Sequence, residues 1–224
     1  MSKRQKCRRW QVGDRFLLGR YQVVLADPPW HYNDKAGAGQ RGAEFKYSVL
    51  KPADIMSLPV RQMVADDAVL FLWITFPQLP LAEQVMRAWG FEYRTVGFVW
   101  VKQNPKAASL AWGMGNWTRS NAEACLLGIR GKPKRASAGV HSVVVSPRLA
   151  HSQKPAEVRE RIVKLCGDVP RIELFARDRG SGWHVWGNEV ESDIDMELEG
   201  TNAGQEEGRS GAARGRADLG LDLA

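Results

Sequence analysis

The chain has 224 residues, of which 44% are hydrophobic and 25% charged, and this is ordinary usage for a globular protein with one sizeable core. No apolar run is long enough to span a membrane, the three cysteines are too widely spaced for a disulfide framework, and the four histidines lack metal-ligand spacing. We therefore expect a cytoplasmic protein that has no membrane segment and no metal site.

Charge divides the chain at Val190. From there onward nine acidic side chains stand against three basic ones, whereas the preceding residues carry 29 basic and 16 acidic side chains. A positive body is expected of a protein that follows a phosphate backbone, although a basic surface alone does not specify a function. The acidic, glycine-rich stretch contains few large apolar residues. We therefore predict a folded domain over 1–189 and a disordered tail over 190–224.

Apolar runs and helix-like spacing alternate along the chain. Strands are predicted over residues 21–26, 68–74, 93–101, 122–129, 171–175 and 185–187. Helical segments are predicted over residues 52–57, 59–64, 79–89 and 154–166. Gly90 and Gly167 are expected to end the last two of these helices. The alternation predicts an α/β fold whose sheet is mainly parallel and is covered by helices on both faces.

The sequence Asp27-Pro28-Pro29-Trp30 directly follows the first predicted strand. Ligands usually bind at the carboxyl ends of strands in an open α/β sheet, so the acid stands where a site is expected. The prolines stiffen the backbone and have no N–H, so the turn offers carbonyl acceptors and one carboxylate beside a large aromatic ring. These groups suit a planar amine, which would donate its two hydrogens to oxygens while its ring stacks on Trp30.

Such a clamp would serve methyl transfer to the exocyclic amine of a nucleobase. The lone pair of that amine is delocalised into the ring, which makes the amine a poor nucleophile. Hydrogen bonds to the Asp27 carboxylate and the Pro28 carbonyl would favour a localised lone pair and stabilise positive charge as it develops on nitrogen. The tetrapeptide is also compatible with an ordinary strand-ending turn in which Asp27 caps a backbone group and Trp30 is buried.

The tetrapeptide resembles the signature of amino-group methyltransferases, and further segments in unbroken order resemble the MT-A70 family of adenine-N6 methyltransferases. The matching segments are residues 47–48, 67–73, 98–102, 121–128, 151–155, 172–177, 183 and 187–189. The resemblance covers about residues 20–190 and is strongest with the short prokaryotic and phage members. It implies a Rossmann-like sheet with a permuted motif order, in which the catalytic turn precedes the cofactor strand. It also implies S-adenosylmethionine as the methyl donor.

The resemblance places the donor site late in the chain. Lys154 matches the family lysine that contacts the donor carboxylate, and a lysine at a helix start also offers a positive charge beside free backbone N–H groups. Arg177, Asn188 and Glu189 match family positions that contact the tail and the ribose of the donor. Glu189 stands where the eukaryotic enzyme has glutamine, and a carboxylate can accept both ribose hydroxyls.

A different set of residues is expected to contact nucleic acid. Tyr47 and Glu123 match family positions near the target base, although a packed tyrosine and a surface glutamate are equally compatible with the sequence. Residues 103–120 combine the basic side chains of Lys106 and Arg119 with tryptophans and glycines. Such a mixture is typical of a loop that grips a flipped nucleotide and its neighbours.

The sequence therefore predicts an S-adenosylmethionine-dependent methyltransferase that acts on adenine N6, with Asp27, Pro28, Pro29 and Trp30 as the catalytic group. DNA is favoured over RNA as the partner because of the resemblance to the short prokaryotic type. Two alternatives remain open. One is methylation of cytosine N4, whose clamp usually begins with serine rather than aspartate. The other is a catalytically silent nucleic-acid-binding paralogue, which the intact tetrapeptide and Lys154 disfavour.

Overall fold

The computed structural model describes residues 9–30, 50–113, 117–148 and 153–199. Its strands are β1 Trp10–Val12, β2 Tyr21–Ala26, β3 Val64–Ile74, β4 Glu92–Asn104, β5 Ala107–Leu110, β6 Ala122–Arg130, β7 Val143–Pro147, β8 Arg171–Leu174, β9 His184–Trp186 and β10 Met196–Leu198. Its helices are α1 Pro52–Met56, α2 Val60–Met63, α3 Leu79–Ala88 and α4 Ala156–Cys166, and a 3₁₀ turn covers Phe76–Gln78. Every predicted strand and helix is confirmed, and the bounds of β2 are those predicted.

Two glycines end the longer helices as predicted. Gly90, after α3, has a φ of 85°, and Gly167, after α4, has a φ of 87°. L side chains avoid this left-handed region, so glycine is the residue that lets the chain leave each helix here. The N–H of Gly167 is donated to the Val163 carbonyl at 2.8 Å, which satisfies one carbonyl of the last turn.

Eight strands form one sheet in the order β5-β4-β6-β3-β2-β8-β9, and β7 pairs with β4. β2 lies parallel to β3 and β8, and β9 lies parallel to β8. β6, however, lies antiparallel between β3 and β4, so the sheet is mixed rather than mainly parallel as predicted. The chain turns back through the β4–β5 hairpin before entering β6. A buried apolar strand has the same sequence pattern in either direction, so the pattern could not reveal this reversal.

Side chains of the central strands alternate between two apolar clusters. In β2, Val24 and Ala26 belong to the first cluster, and Val23 and Leu25 belong to the second. The buried apolar residues of α1, α2 and α3 pack into the first cluster, whereas those of α4 pack into the second. Because both sides of β2 are packed, the end of this strand is a firmly held position for the residue that follows it.

The predicted boundary at Val190 differs from the structure. β10 pairs antiparallel with β1, and Trp10 lies opposite Leu198. Ile194, Met196 and Leu198 are buried, and Ile194 and Met196 belong to the first cluster. Three apolar residues spaced two apart suffice for a short strand even within an acidic stretch, so residues 190–199 pack on the fold rather than forming part of a tail. The predicted tail beyond Glu199 lies outside the described residues.

Further observations concern membrane-spanning helices, metal ligands and thiols. Within the described ranges, no helix is long and apolar enough to cross a membrane, and no cluster of three His, Cys, Asp or Glu side chains could hold a metal ion. Cys125 and Cys166 are free thiols. Burial raises the pKa of Cys166 to about 11 and raises the pKa of Cys125 well above its ordinary value, so both thiols are protonated at neutral pH.

Candidate active site

Asp27 lies at the carboxyl end of β2, between the ends of β3 and β8. Its backbone N–H is directed at the Leu174 carbonyl of β8 at 3.4 Å, which continues the parallel pairing one residue past the strand. The Asp27 side chain is 20% exposed. Asp27 thus lies at the edge of the sheet, as predicted. The packed strands on both sides hold it there.

Trp30 has a different environment from the one predicted. Its ring is only 4% exposed and belongs to the first apolar cluster. Its indole N–H is donated to the Trp73 carbonyl at 2.9 Å, and its backbone N–H is donated to the Pro28 carbonyl at 2.8 Å. The ring therefore anchors the turn to β3 and does not present a face on which a base could stack. The Pro28 carbonyl keeps one lone pair beyond this internal hydrogen bond.

Four charged side chains of alternating sign form a row that ends at Asp27, and we call Lys102, Glu123, Lys154 and Asp27 the charged row. Lys154 Nζ lies 2.7 Å from Asp27 Oδ2 and 3.4 Å from Glu123 Oε2. Glu123 Oε1 accepts a hydrogen bond from Lys102 Nζ. These side chains are between 15% and 21% exposed, so their charges are only weakly screened by solvent.

The pKa values in the charged row follow from burial and from these neighbours. Burial raises the pKa of Asp27 above its ordinary value, and the charge of Lys154 opposes this only in part. Burial also opposes ionisation of Glu123, but Lys154 and Lys102 together lower its pKa below the ordinary value. For Lys154, burial favours the neutral amine, yet Asp27 and Glu123 raise its pKa overall. Lys154 and Glu123 are therefore charged at neutral pH.

A pocket opens beside the charged row. Its empty space is about 440 Å³, which includes open solvent at its mouth. Its lining includes Asp27 and Lys154 together with Glu173, Phe175 and Arg177 from the end of β8 and the residues after it. Three cationic side chains line the pocket. Arg159 is paired with Glu173 and Asp178, whereas Lys154 and Arg177 suit a ligand that carries a carboxylate. The polar and aromatic remainder of the lining suits the uncharged parts of such a ligand.

The predicted donor residues do not all line this pocket. Arg177 does, and its guanidinium lies 3.1 Å from Glu189 Oε1, so these two predicted residues meet. Asn188 and Glu189 are exposed just after β9. Gly187 brings this segment against the β8 turn, because a Cβ there would lie 2.2 Å from the Ala176 carbonyl oxygen. The structure thus brings Lys154, Arg177 and Glu189 to one side of the sheet end.

The predicted nucleic-acid residues have three different outcomes. Tyr47 lies outside the described residues. Glu123 is part of the charged row rather than a surface glutamate. Lys106 is exposed in the turn between β4 and β5. Arg119 is also exposed, ahead of β6, and its guanidinium carbon lies 5.3 Å from the ring centroid of Trp112. Lys106 and Arg119 therefore lie on the chain that joins β4 to β6.

Lys102, Arg159 and Glu173 were not among the site residues predicted from the sequence. Arg159 of α4 makes two hydrogen bonds to the Glu173 carboxylate of β8, at 2.6 and 3.1 Å, and both residues line the pocket. This pair could have been predicted from the sequence, because Arg159 is a charged residue on the apolar side of α4 and Glu173 is one on the apolar side of β8. Lys102 lies within a matched segment, but its contact with Glu123 depends on the pairing of β4 with β6, which the sequence did not reveal.

Comparisons with known proteins identify the family of this chain. The family model MT-A70 matches residues 21–189. The chain is 36% identical over 191 residues to the Type II methyltransferase M.MunI of a Mycoplasma species. The match covers 76% of this chain and 78% of that protein. It is 32% identical over 181 residues to the human N(6)-adenosine-methyltransferase catalytic subunit METTL3, covering 78% of this chain but 29% of METTL3.

A Drosophila N(6)-adenosine-methyltransferase MT-A70-like protein is 31% identical over 182 residues, and the match covers 80% of this chain and 28% of that protein. The chain thus spans most of the Mycoplasma relative and less than a third of the two animal relatives. MT-A70 methyltransferases use S-adenosylmethionine as the methyl donor. With a family model that matches nearly the whole described fold, this chain belongs to the MT-A70 family of adenine-N6 methyltransferases.

Proposed function

We propose that this protein transfers a methyl group from S-adenosylmethionine to adenine N6 in DNA. The observation that carries the proposal is the position of Asp27, a poorly exposed carboxylate at the end of β2 that lines a pocket together with the cations Lys154 and Arg177. S-adenosylmethionine supplies a methyl group on a positively charged sulfur. The rest of the reaction requires the protein to hold an amine in line with that methyl group.

Asp27 is the proposed acceptor for one hydrogen of the target amine. Its carboxylate would favour a lone pair localised on N6 and would stabilise the positive charge that appears on nitrogen as the new carbon–nitrogen bond forms and the sulfur–methyl bond breaks. The free lone pair of the Pro28 carbonyl is the proposed acceptor for the second hydrogen. The methylated nitrogen then loses one proton, and Asp27, the proposed acceptor of its hydrogen bond, is the proposed base. Trp30 contributes by fixing the turn and not by stacking.

Lys154 and Arg177 are the proposed binding groups for the carboxylate of the donor. Both line the pocket, and Lys154 is charged at neutral pH because Asp27 and Glu123 raise its pKa against the effect of burial. Glu189 is proposed to accept hydrogen bonds from the donor ribose, and its contact with Arg177 places it on the same side of the sheet. Asn188, exposed next to it, is proposed to contact the ribose or the tail of the donor.

DNA rather than RNA is proposed as the acceptor polymer on two grounds. The Mycoplasma type II methyltransferase and this chain match over similar shares of their lengths, whereas METTL3 is several times longer than the matched region. The second ground is that the sequence resembles the short prokaryotic members of the family, and this resemblance favours DNA over RNA. The basic side chains of Lys106 and Arg119, exposed on the connection between β4 and β6, would contact the phosphate backbone.

The proposal can be tested by nucleoside analysis. The protein is incubated with S-adenosylmethionine and unmethylated DNA or RNA of the same sequence, and each product is digested to nucleosides for mass spectrometry. We expect N6-methyladenine in the DNA sample. Product in RNA alone would overturn the choice of polymer, and N4-methylcytosine would overturn the choice of base. No product in either sample, together with no donor binding by calorimetry, would favour the silent paralogue.

A further inference from the structure

Lys154 occupies a position that conflicts with the proposed role of Asp27. Its ammonium lies 2.7 Å from Asp27 Oδ2, and both groups are about four-fifths shielded from solvent. During methyl transfer a second positive charge develops on the amine that Asp27 is proposed to hold. Two positive charges on one carboxylate at this degree of burial repel each other, which would raise the barrier that Asp27 is there to lower.

A second carboxylate lies within reach of the same ammonium. Glu123 Oε2 is 3.4 Å from Lys154 Nζ, slightly too far for a strong hydrogen bond but within an ion pair. A shift of Lys154 by less than 1 Å toward Glu123 would exchange the long contact for a short one. Glu123 is ionised at neutral pH because Lys154 and Lys102 lower its pKa against the effect of burial. It can therefore receive Lys154 without first losing a proton.

We propose that Glu123, held by Lys102, is the site to which Lys154 withdraws when Asp27 receives the target amine. Glu123 and Lys102 are then positioning residues that act through Lys154, and Glu123 does not contact the target base. This inference rests on the proposed function, because it takes Asp27 as the acceptor of the amine and Lys154 as a ligand of the donor carboxylate.

Lys102 has two roles in this arrangement. It fixes Glu123 Oε1 by a hydrogen bond, which leaves Oε2 directed toward Lys154. It also balances the second carboxylate, so the charged row carries two positive and two negative charges. Lys102 itself is held near the end of β4, where its backbone N–H is donated to the Asn121 carbonyl and its carbonyl accepts from the Ala111 N–H.

The test uses Lys102→Met, Glu123→Gln and the double variant, with Lys102→Arg as the conservative replacement. Donor affinity is measured by calorimetry, and kcat and KM are measured with a DNA oligonucleotide at saturating donor. Glu83 and Arg87 form an exposed pair on α3, so Glu83→Gln and Arg87→Met make the same charge changes far from the pocket. These two controls are expected to leave both measurements unchanged.

The two single variants should change donor affinity in opposite directions. Glu123→Gln removes a negative charge near the donor carboxylate, so its Kd should fall by about threefold to tenfold. Lys102→Met removes a positive charge, so its Kd should rise by a similar factor, and the double variant should lie near the wild type. Both single variants should lower kcat by about tenfold or more with KM for the oligonucleotide nearly unchanged, and Lys102→Arg should restore most of the activity.

Other outcomes would overturn the proposal. If Glu123→Gln raises KM for the oligonucleotide and leaves kcat unchanged, Glu123 contacts the base directly. If the kcat losses of the two single variants multiply in the double variant, Lys102 does not act through Glu123. Equal donor affinities in all variants would show that the charged row does not reach the donor. Donor affinity is measured without an acceptor, so it tests the charged row independently of methyl transfer. If the wild type methylates no nucleic acid, the proposed function is refuted, but the donor affinities of the variants still test the charged row.

Discussion

The replacement Trp30→Phe separates the anchoring role of Trp30 from the stacking role that the sequence suggested. The variant loses the hydrogen bond from the indole N–H to the Trp73 carbonyl, which costs about 1–2 kcal/mol in a buried site. It also leaves a space where the larger ring was buried at 4% exposure, which adds about 1–2 kcal/mol. The free energy of unfolding should therefore fall by about 2–4 kcal/mol, and the melting temperature by roughly 5–15 °C.

Thermal unfolding followed by circular dichroism measures this change. Trp117→Phe is the matched control, because Trp117 is 99% exposed and its replacement should leave the melting temperature unchanged. Below its lowered melting temperature, Trp30→Phe should bind the donor with nearly the wild-type Kd. An unchanged melting temperature together with a large rise in KM for the oligonucleotide would refute this reasoning and support a ring that stacks on the target base.

Three further predictions concern the pocket, its pH dependence and the C-terminal strand. Lys154→Met should weaken donor binding by about tenfold or more in calorimetry, because it removes a charged ligand of the donor carboxylate, and an unchanged Kd would contradict this role. Asp27 must be ionised to stabilise the positive charge that develops on the amine, and burial raises its pKa, so kcat should fall with decreasing pH at values above the ordinary carboxyl range. A profile that stays flat to about pH 4 would contradict that assignment. Finally, a chain ending at Glu189 should be less stable than one ending at Glu199 by at least about 4 kcal/mol, because it loses three buried apolar side chains, and equal melting temperatures would place residues 190–199 outside the fold.

The sequence was sufficient to predict those parts of the fold that depend on local patterns. β2 follows from a short β-branched run, and the ends of α3 and α4 follow from glycines that take positive φ. Asp27 could be placed at a strand end because the two prolines after it cannot continue the ladder. These features are encoded within a few residues, so neighbouring parts of the chain do not alter them.

The parts that were missed depend on pairings between distant segments. The direction of β6 is set by the hairpin before it, and the pairing of β10 with β1 joins residues almost 190 positions apart. The sequence is compatible with a Trp30 ring that faces a ligand or one that faces the core. The ring faces the core because its indole N–H bonds the Trp73 carbonyl, and the sequence does not reveal the position of that carbonyl. In the same way, the charged row could not be predicted because Lys102, Glu123, Lys154 and Asp27 come from four separate segments.

A crystal structure of the protein with S-adenosylhomocysteine and a DNA duplex that contains the target adenine would test most directly whether Asp27 holds the target amine. We expect N6 within about 2.6–3.2 Å of the Asp27 carboxylate, and the amino-acid carboxylate of the ligand beside Lys154. A target base held elsewhere, with Asp27 still paired to Lys154 and its carboxylate turned away from the ligand sulfur, would contradict this expectation.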